Sequence, residues 1–198
     1  MIGYKLAVGV AENSGFFPVL VTLEIPNSAK VVEPVDGVIC EDSANNEVTI
    51  KKYRTNECRV VSVSPFESYT LTDESFTKLD IDKWNPVAYS LYEILNNYKH
   101  LYYGITKNVL RITRYDTDSY ISVSKFNENI DDDCGEGIHF FKDIDDIHTY
   151  YFTDKAEWFK YGIKHMNSIM SKNLPFIDSD KGQICANKIF NKLLYGGV

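Results

Sequence analysis

The sequence predicts an α+β protein: a mostly antiparallel sheet with one packed helix in an insertion and a helical hairpin at the C-terminal end. Three observations predict this. Apolar, β-branched runs of strand length separated by turn residues fill residues 1–65. A strong 3.6-residue apolar period occupies residues 86–103, and two more helical periods follow residue 153. The 198 residues suit one core, or one core with a helical appendage, and need no disulfide or metal to fold.

Taken in order, Gly3–Val10 and Phe16–Ile25 read as strands joined by Glu12-Asn13-Ser14-Gly15, which is turn chemistry. Val19, Val21 and Leu23 alternate with Leu20, Thr22 and Glu24, so one face is apolar and the other mixed. Val35–Cys40 and Glu47–Tyr53 flank Ser43–Asn46 as a hairpin with a longer loop. Cys58–Ser64 is another strand, stopped by Pro65. Asn85 and Pro86 supply an N-cap and a first-turn proline for a helix over Pro86–Tyr103. Its apolar stripe is Val87, Leu91, Ile94, Leu95, Tyr98, Leu101 and Tyr102.

Val109–Thr113 and Tyr120–Phe126 are strand-like around the turn Asp116-Thr117-Asp118, and Ile138–Phe141 is a short strand. Asp143 caps a helix through Tyr151, its early acids lying at the positive end of the dipole. Thr153 is placed to cap the next helix, to about Lys172, which would bury Trp158, Phe159, Ile163, Met166, Ile169 and Met170. Pro175 ends it, and a last helix covers about Asp180–Tyr195. The organisation is therefore 1–152, an α+β domain with an insertion at about 66–108, and 153–198, a basic helical hairpin packed on the same core.

Composition narrows the function classes. The four cysteines, Cys40, Cys58, Cys134 and Cys185, are scattered without a CxxC pair, which points to reduced thiols in an intracellular compartment. The chain lacks a signal-peptide pattern and any apolar run long enough for a bilayer, so no membrane partner is expected. The net charge of −7 disfavours nucleic acid. That charge is uneven: residues 1–154 hold 14 Lys/Arg against 25 Asp/Glu, and residues 155–198 hold 7 Lys against 3 acids. The basic part is a solvated helix face, or a docking surface for an acidic partner or for the acidic part of a second copy. Eighteen Ile and fifteen Asn against seven Ala resemble translation from an AT-rich genome.

Cys134-x-x-Gly137-Ile138-His139-Phe140-Phe141 is the first place where chemistry could sit. A cysteine and a histidine four residues apart suit a nucleophile with its base, or two metal ligands. The plainer reading makes His139 a core histidine bonded to backbone or to the acidic loop, with Gly135 and Gly137 shaping a tight turn. Asp131–Asp133 and Asp143, Asp145 and Asp146 are dense in carboxylates, but loop solvation and dipole complementarity account for them. His100, His139, His148 and His165 show no HxxxH pairing, and phosphate-loop and GxSxG motifs are absent. Lys51-Lys52-Tyr53-Arg54 is a small basic, aromatic patch, too short to bind a nucleic-acid strand. No catalytic centre and no cofactor is expected.

Four segments together resemble a known pattern. Gly3-Tyr4-Lys5, Val21-Thr22-Leu23-Glu24-Ile25-Pro26-Asn27-Ser28-Ala29-Lys30, Tyr53-Arg54-Thr55-Asn56-Glu57-Cys58-Arg59-Val60-Val61 and Cys134–Phe141 occur in this order. They resemble an uncharacterised domain family of large DNA viruses and of some phage and microbial proteins, often beside pentapeptide repeats. The resemblance covers about residues 1–151 and is most specific in CxxGIHFF. This chain departs from it in the insertion between Pro65 and about Asn108 and in the basic hairpin. The resemblance implies a viral setting, in host cytoplasm or virion, and no catalytic roles. With the Tyr-rich helix and opposed charges, it points to an accessory or virion-associated protein acting on a protein partner or on copies of itself. The expected contact residues are Tyr98, Tyr102, Lys160, Lys164, Lys188 and Lys192. The alternative is a small-molecule binder or enzyme using Cys134, His139 and Asp133.

Overall fold

The computed structural model describes residues 1–11, 15–41, 46–66, 86–102, 112–132 and 135–172, without the side chains of 11, 97–102 and 169–172. It is an α+β chain, and every strand pair with a resolved register is antiparallel. The strands are β1 (Ile2–Ala11), β2 (Gly15–Glu24), β3 (Val31–Val32), β4 (Val38–Glu41), β5 (Glu47–Ile50), β6 (Tyr53–Thr55) and β7 (Glu57–Pro65). They continue with β8 (Val87–Tyr89), β9 (Arg114–Asp116), β10 (Tyr120–Ser122) and β11 (Ile138–Phe140). The helices are α1 (Leu91–Tyr102), α2 (Ile144–Phe152) and α3 (Glu157–Lys172). The large sheet is hydrogen-bonded in the order β10-β7-β2-β1-β8-β9; β11-β6-β3 and β4-β5 form separate small sheets.

By contacts the chain divides into two units, and β1 and β2 each contribute to both. The first comprises Met1–Leu6, Val19–Phe66 and Tyr115–Trp158. Its core follows from the alternation in β2: Val19, Val21 and Leu23 are fully buried while Glu24 is exposed. Opposite, β7 buries Cys58, Val60 and Val63. The register slips between Thr22, opposite Ser62, and Leu23, opposite Val60. Val61 is the extra residue of this bulge, which turns it outward and resets the alternation, so a strand-favouring valine stands exposed.

The second unit comprises Ala7–Pro18, Glu67–Arg114 and Phe159–Val198. Phe16 and Phe17, neighbours in β2, are both buried, so this half of the strand is covered on both faces. The Asn167 side chain of α3 acts as a ladder partner: Phe16 N donates to its Oδ1 at 2.7 Å, and its Nδ2 donates to Phe16 O at 2.9 Å. In β1, Val8 and Gly9 pair with Tyr89 and Ala88 of β8. Helices α1 and α3 meet where Gly162 lies flush against Leu91 and Leu95.

Several elements differ from the sequence pattern. Val87–Tyr89 is a strand, and the helix starts at Leu91, where Ile94 N donates to Ser90 O. Pro86 and Asn85 therefore precede a strand; pairing with β1 overrides their helix-start signal. Of the expected strand at Val109–Thr113, residues 109–111 lie outside the description and Ile112 and Thr113 are not strand; the next strand is Arg114–Asp116. Thr153 closes α2 rather than opening α3: its hydroxyl donates to Tyr150 O, and a 3-10 turn at Asp154–Ala156 precedes Glu157. In α3, Phe159, Ile163 and Met166 are buried as their spacing requires, while Trp158, one step round the helix from Phe159, is 48% exposed rather than buried. The expected helix Asp180–Tyr195 lies outside the described residues. Among the described residues no helix is long and apolar enough to cross a membrane.

Candidate functional site

The four segments of the resemblance converge in the first unit. Strand β11 pairs with β6, setting Ile138, His139 and Phe140 against Thr55, Arg54 and Tyr53. Strand β3 lies on the other side of β6, Val31 and Val32 facing Thr55 and Arg54. Tyr4 and Phe141 exchange backbone hydrogen bonds at 2.8 and 2.7 Å. A β-carbon on Gly3 would run into the Phe140 ring, which is why glycine stands before Tyr4. The Thr55 hydroxyl donates to Lys30 O at 3.0 Å, tying in the end of the Val21–Lys30 segment. These segments of the chain thus hold one another in place.

At their centre is Arg54, only 2% exposed. Its Nε donates to Asn127 O at 2.8 Å, and Nη1 and Nη2 donate to Asp132 O and Asn129 O. The loop closes on itself around this fork. Asn127 Nδ2 donates to Asp132 Oδ2 at 2.7 Å, and Asn129 N and Asp131 N donate to the side-chain oxygens of Asn127 and Asn129. Gly135 covers the guanidinium: a β-carbon there would sit 3.0 Å from its carbon and from Asn127 Nδ2. A planar fork with five donors suits divergent carbonyls in a way an ammonium does not.

His139 completes the turn. Its Nε2 lies 2.9 Å from Gly135 O; a carbonyl only accepts, so Nε2 carries the proton and Nδ1 the lone pair. Nδ1 is buried with no hydrogen-bond partner among the described residues. Burial, then the positive charges of Lys5 and Lys52, hold its pKa down at about 4, so the ring is neutral at neutral pH. Lys5 Nζ donates to His139 O at 3.3 Å and lies 5.8 Å from the Tyr115 ring centre. Asp133 and Cys134 lie outside the described residues. The two described cysteines, Cys40 and Cys58, are buried, and burial raises both thiols, Cys58 to about 12.

The basic patch read at Lys51–Arg54 is not an open platform. Arg54 points inward, Lys51 pairs with Glu33 at 2.7 Å, and Lys142 caps the Tyr53 ring at 3.9 Å. The carboxylates separate too. Asp132 joins the Arg54 loop, and Asp143 caps α2 by accepting from Asp145 N. Asp146 has its pKa raised by burial, then by Asp143 and Asp145. Among the described residues no three His, Cys, Asp or Glu side chains gather in a metal-holding group.

A cleft that the sequence did not suggest lies between the β4–β5 hairpin and the end of α2. About 950 Å³ in volume, it is lined by Ile39, Cys40, Glu41, Glu47, Asp145, His148, Thr149, Phe152, Thr153, Asp154 and Lys155. Ile39 and Phe152 are 61% and 66% exposed, and Glu41 stands directly opposite Glu47 in the ladder. The Cys40 thiol faces the Thr153 hydroxyl at 3.8 Å. His148 stacks on Phe66 at 4.9 Å, which fixes one side of α2. Its sequence signal was weak: period-2 residues such as Ile39 reveal a face only once the strand's partners are known. Of the expected contact residues, Lys164 is exposed and Lys160 half-buried on α3. The side chains of Tyr98 and Tyr102, and all of Lys188 and Lys192, lie outside the description. No family model, curated protein or solved structure matches the chain.

Proposed function

We propose that the chain works through protein–protein contact, as an accessory or virion-associated protein of a large DNA virus, rather than through catalysis. One observation carries this reading. The shared motif residues spend their polar groups on each other around Arg54, while the outward cleft at β4–β5 and α2 exposes Ile39 and Phe152 among carboxylates. Large apolar side chains within a polar rim are what a docking patch offers a partner. The viral setting rests on the segment resemblance and the Ile- and Asn-rich composition.

The test is to isolate the tagged full chain from producing cells, remake its partner pure, and titrate the two. Phe152→Asp with Ile39→Asp should weaken that complex at least tenfold. A complex indifferent to both changes, or a chain that stays alone, would refute the reading.

A second reading, a small-molecule site at the Cys134–Phe141 turn, draws on the buried Nδ1 of His139, which has no hydrogen-bond partner among the described residues. It requires a reactive thiol beside that ring. Alkylation of Cys134 in the folded chain at the rate of a free thiol favours it; protection until unfolding removes its nucleophilic form.

A further inference from the structure

Among the described residues, the cleft between β4–β5 and α2 carries four carboxylate residues, Glu41, Glu47, Asp145 and Asp154, against one lysine, Lys155. Lys155 Nζ is 3.7 Å from Asp154, so the other three acids set the field of the cleft. Glu41 and Glu47 oppose each other at the last ladder position, where facing like charges work against the pairing. A cation placed between them relieves that repulsion. Ile39 and Phe152 add exposed apolar surface to the same walls. The cleft therefore suits a segment that presents positive charge beside a flat apolar group.

The chain itself owns such a segment. On α3, Lys160 and Lys164 are four residues apart, which brings them to one side of the helix. Beside them Tyr161, 70% exposed, stacks on His165 with ring centres 6.1 Å apart and planes 7° from parallel. Two ammonium groups next to an aromatic plate match the carboxylates and the Ile39–Phe152 surface of the cleft. The charge division of the sequence, 25 acids to 14 cations before residue 155 and 7 lysines to 3 acids after it, supports the same pairing.

Resting on the interaction reading above, we propose that the β4–β5/α2 cleft receives the Lys160–Lys164 face of α3 from a second copy of the chain. The contact is a helix laid into a groove, steered by charge and seated on Tyr161. Because Coulomb attraction between exposed groups is screened over about 8 Å at physiological ionic strength, its strength falls as salt rises.

Sedimentation of the full chain tests this, with Glu41→Lys/Glu47→Lys and Lys160→Glu/Lys164→Glu as paired variants. Thermal melting of each variant within a few degrees of the parent shows that it is folded. The parent should associate at tens of micromolar in low salt and revert to the monomer mass in high salt. Each variant alone should be monomeric, and an equimolar mixture of the two should associate again, because the unaltered cleft of the helix variant meets the unaltered helix of the cleft variant, and the two charge-reversed faces complement each other. A parent that is monomeric in low salt overturns the proposal, as does a mixture that stays apart. If the parent is monomeric yet the cleft variant loses a purified foreign partner, the interaction reading survives and self-docking fails. If the parent is monomeric and binds no partner, both fail.

Discussion

Truncating Arg54 would leave the carbonyls of Asn127, Asn129 and Asp132 facing a cavity where three donors had been. A hydrogen bond from a charged donor is worth about 1.5–3 kcal/mol and three are lost together, so we expect Arg54→Ala to lower stability by at least about 3 kcal/mol in chemical denaturation. Arg54→Lys should recover only part, since one ammonium cannot reach carbonyls spread around a planar fork. Gly135→Ala should cost about 1–3 kcal/mol, because its methyl must displace the guanidinium or Asn127. His139 gives a pH signature whose sign is fixed by its depressed pKa. Its folded value, about 4, lies below the ordinary 6.5, so between these pH values the unfolded chain takes up a proton and the native chain does not. Its contribution is complete above pH 6.5, declines as pH falls to about 4, and is level below that. The total loss is on the order of 3 kcal/mol. His139→Gln should flatten the stability profile across that window by one proton; an unchanged slope would show that other groups set it.

At the scale of elements, β2 joins two kinds of burial in one strand. Its first half is covered on both faces around Phe16 and Phe17; its second alternates from Val19 to Glu24. The alternating half was legible because a period of two states which face is dry. The other half was not, since Asn167, which completes its hydrogen bonding, is 151 residues away in sequence. Asn167→Leu removes both bonds to Phe16, and we expect a loss of about 1–3 kcal/mol with faster hydrogen exchange at the Phe16 amide. Protection unchanged at that amide would show that β2 is held there by its strand neighbours. The start of α1 teaches the same lesson. Asn85-Pro86 is a fair helix opening, yet Val87–Tyr89 pair with β1 and the helix waits for Ser90. Local propensity of a few tenths of a kcal/mol per residue yields to a ladder that satisfies backbone groups and buries Val87 and Tyr89.

For the whole molecule, the proposed docking function places stability and association on different surfaces. Ile39 and Phe152 stand mostly in solvent, so Ile39→Asp and Phe152→Asp should each shift folding stability by no more than about 0.5 kcal/mol while altering association. A large drop in the melting temperature would place them in the folding core instead. By itself, the sequence determined the α+β class, the β4–β5 hairpin, the cap at Asp143 and the apolar face of β2, because each follows from periodicity or from one residue's own backbone chemistry. It also marked Gly135, Gly137 and His139 as a turn. Only the tertiary structure decided that Arg54, read as part of a surface patch, is the buried centre of that turn, and that Glu41, Glu47, Ile39 and Phe152 share a cleft. A pattern along the chain records which residues avoid water, but not which distant carbonyls or carboxylates the fold will carry to them.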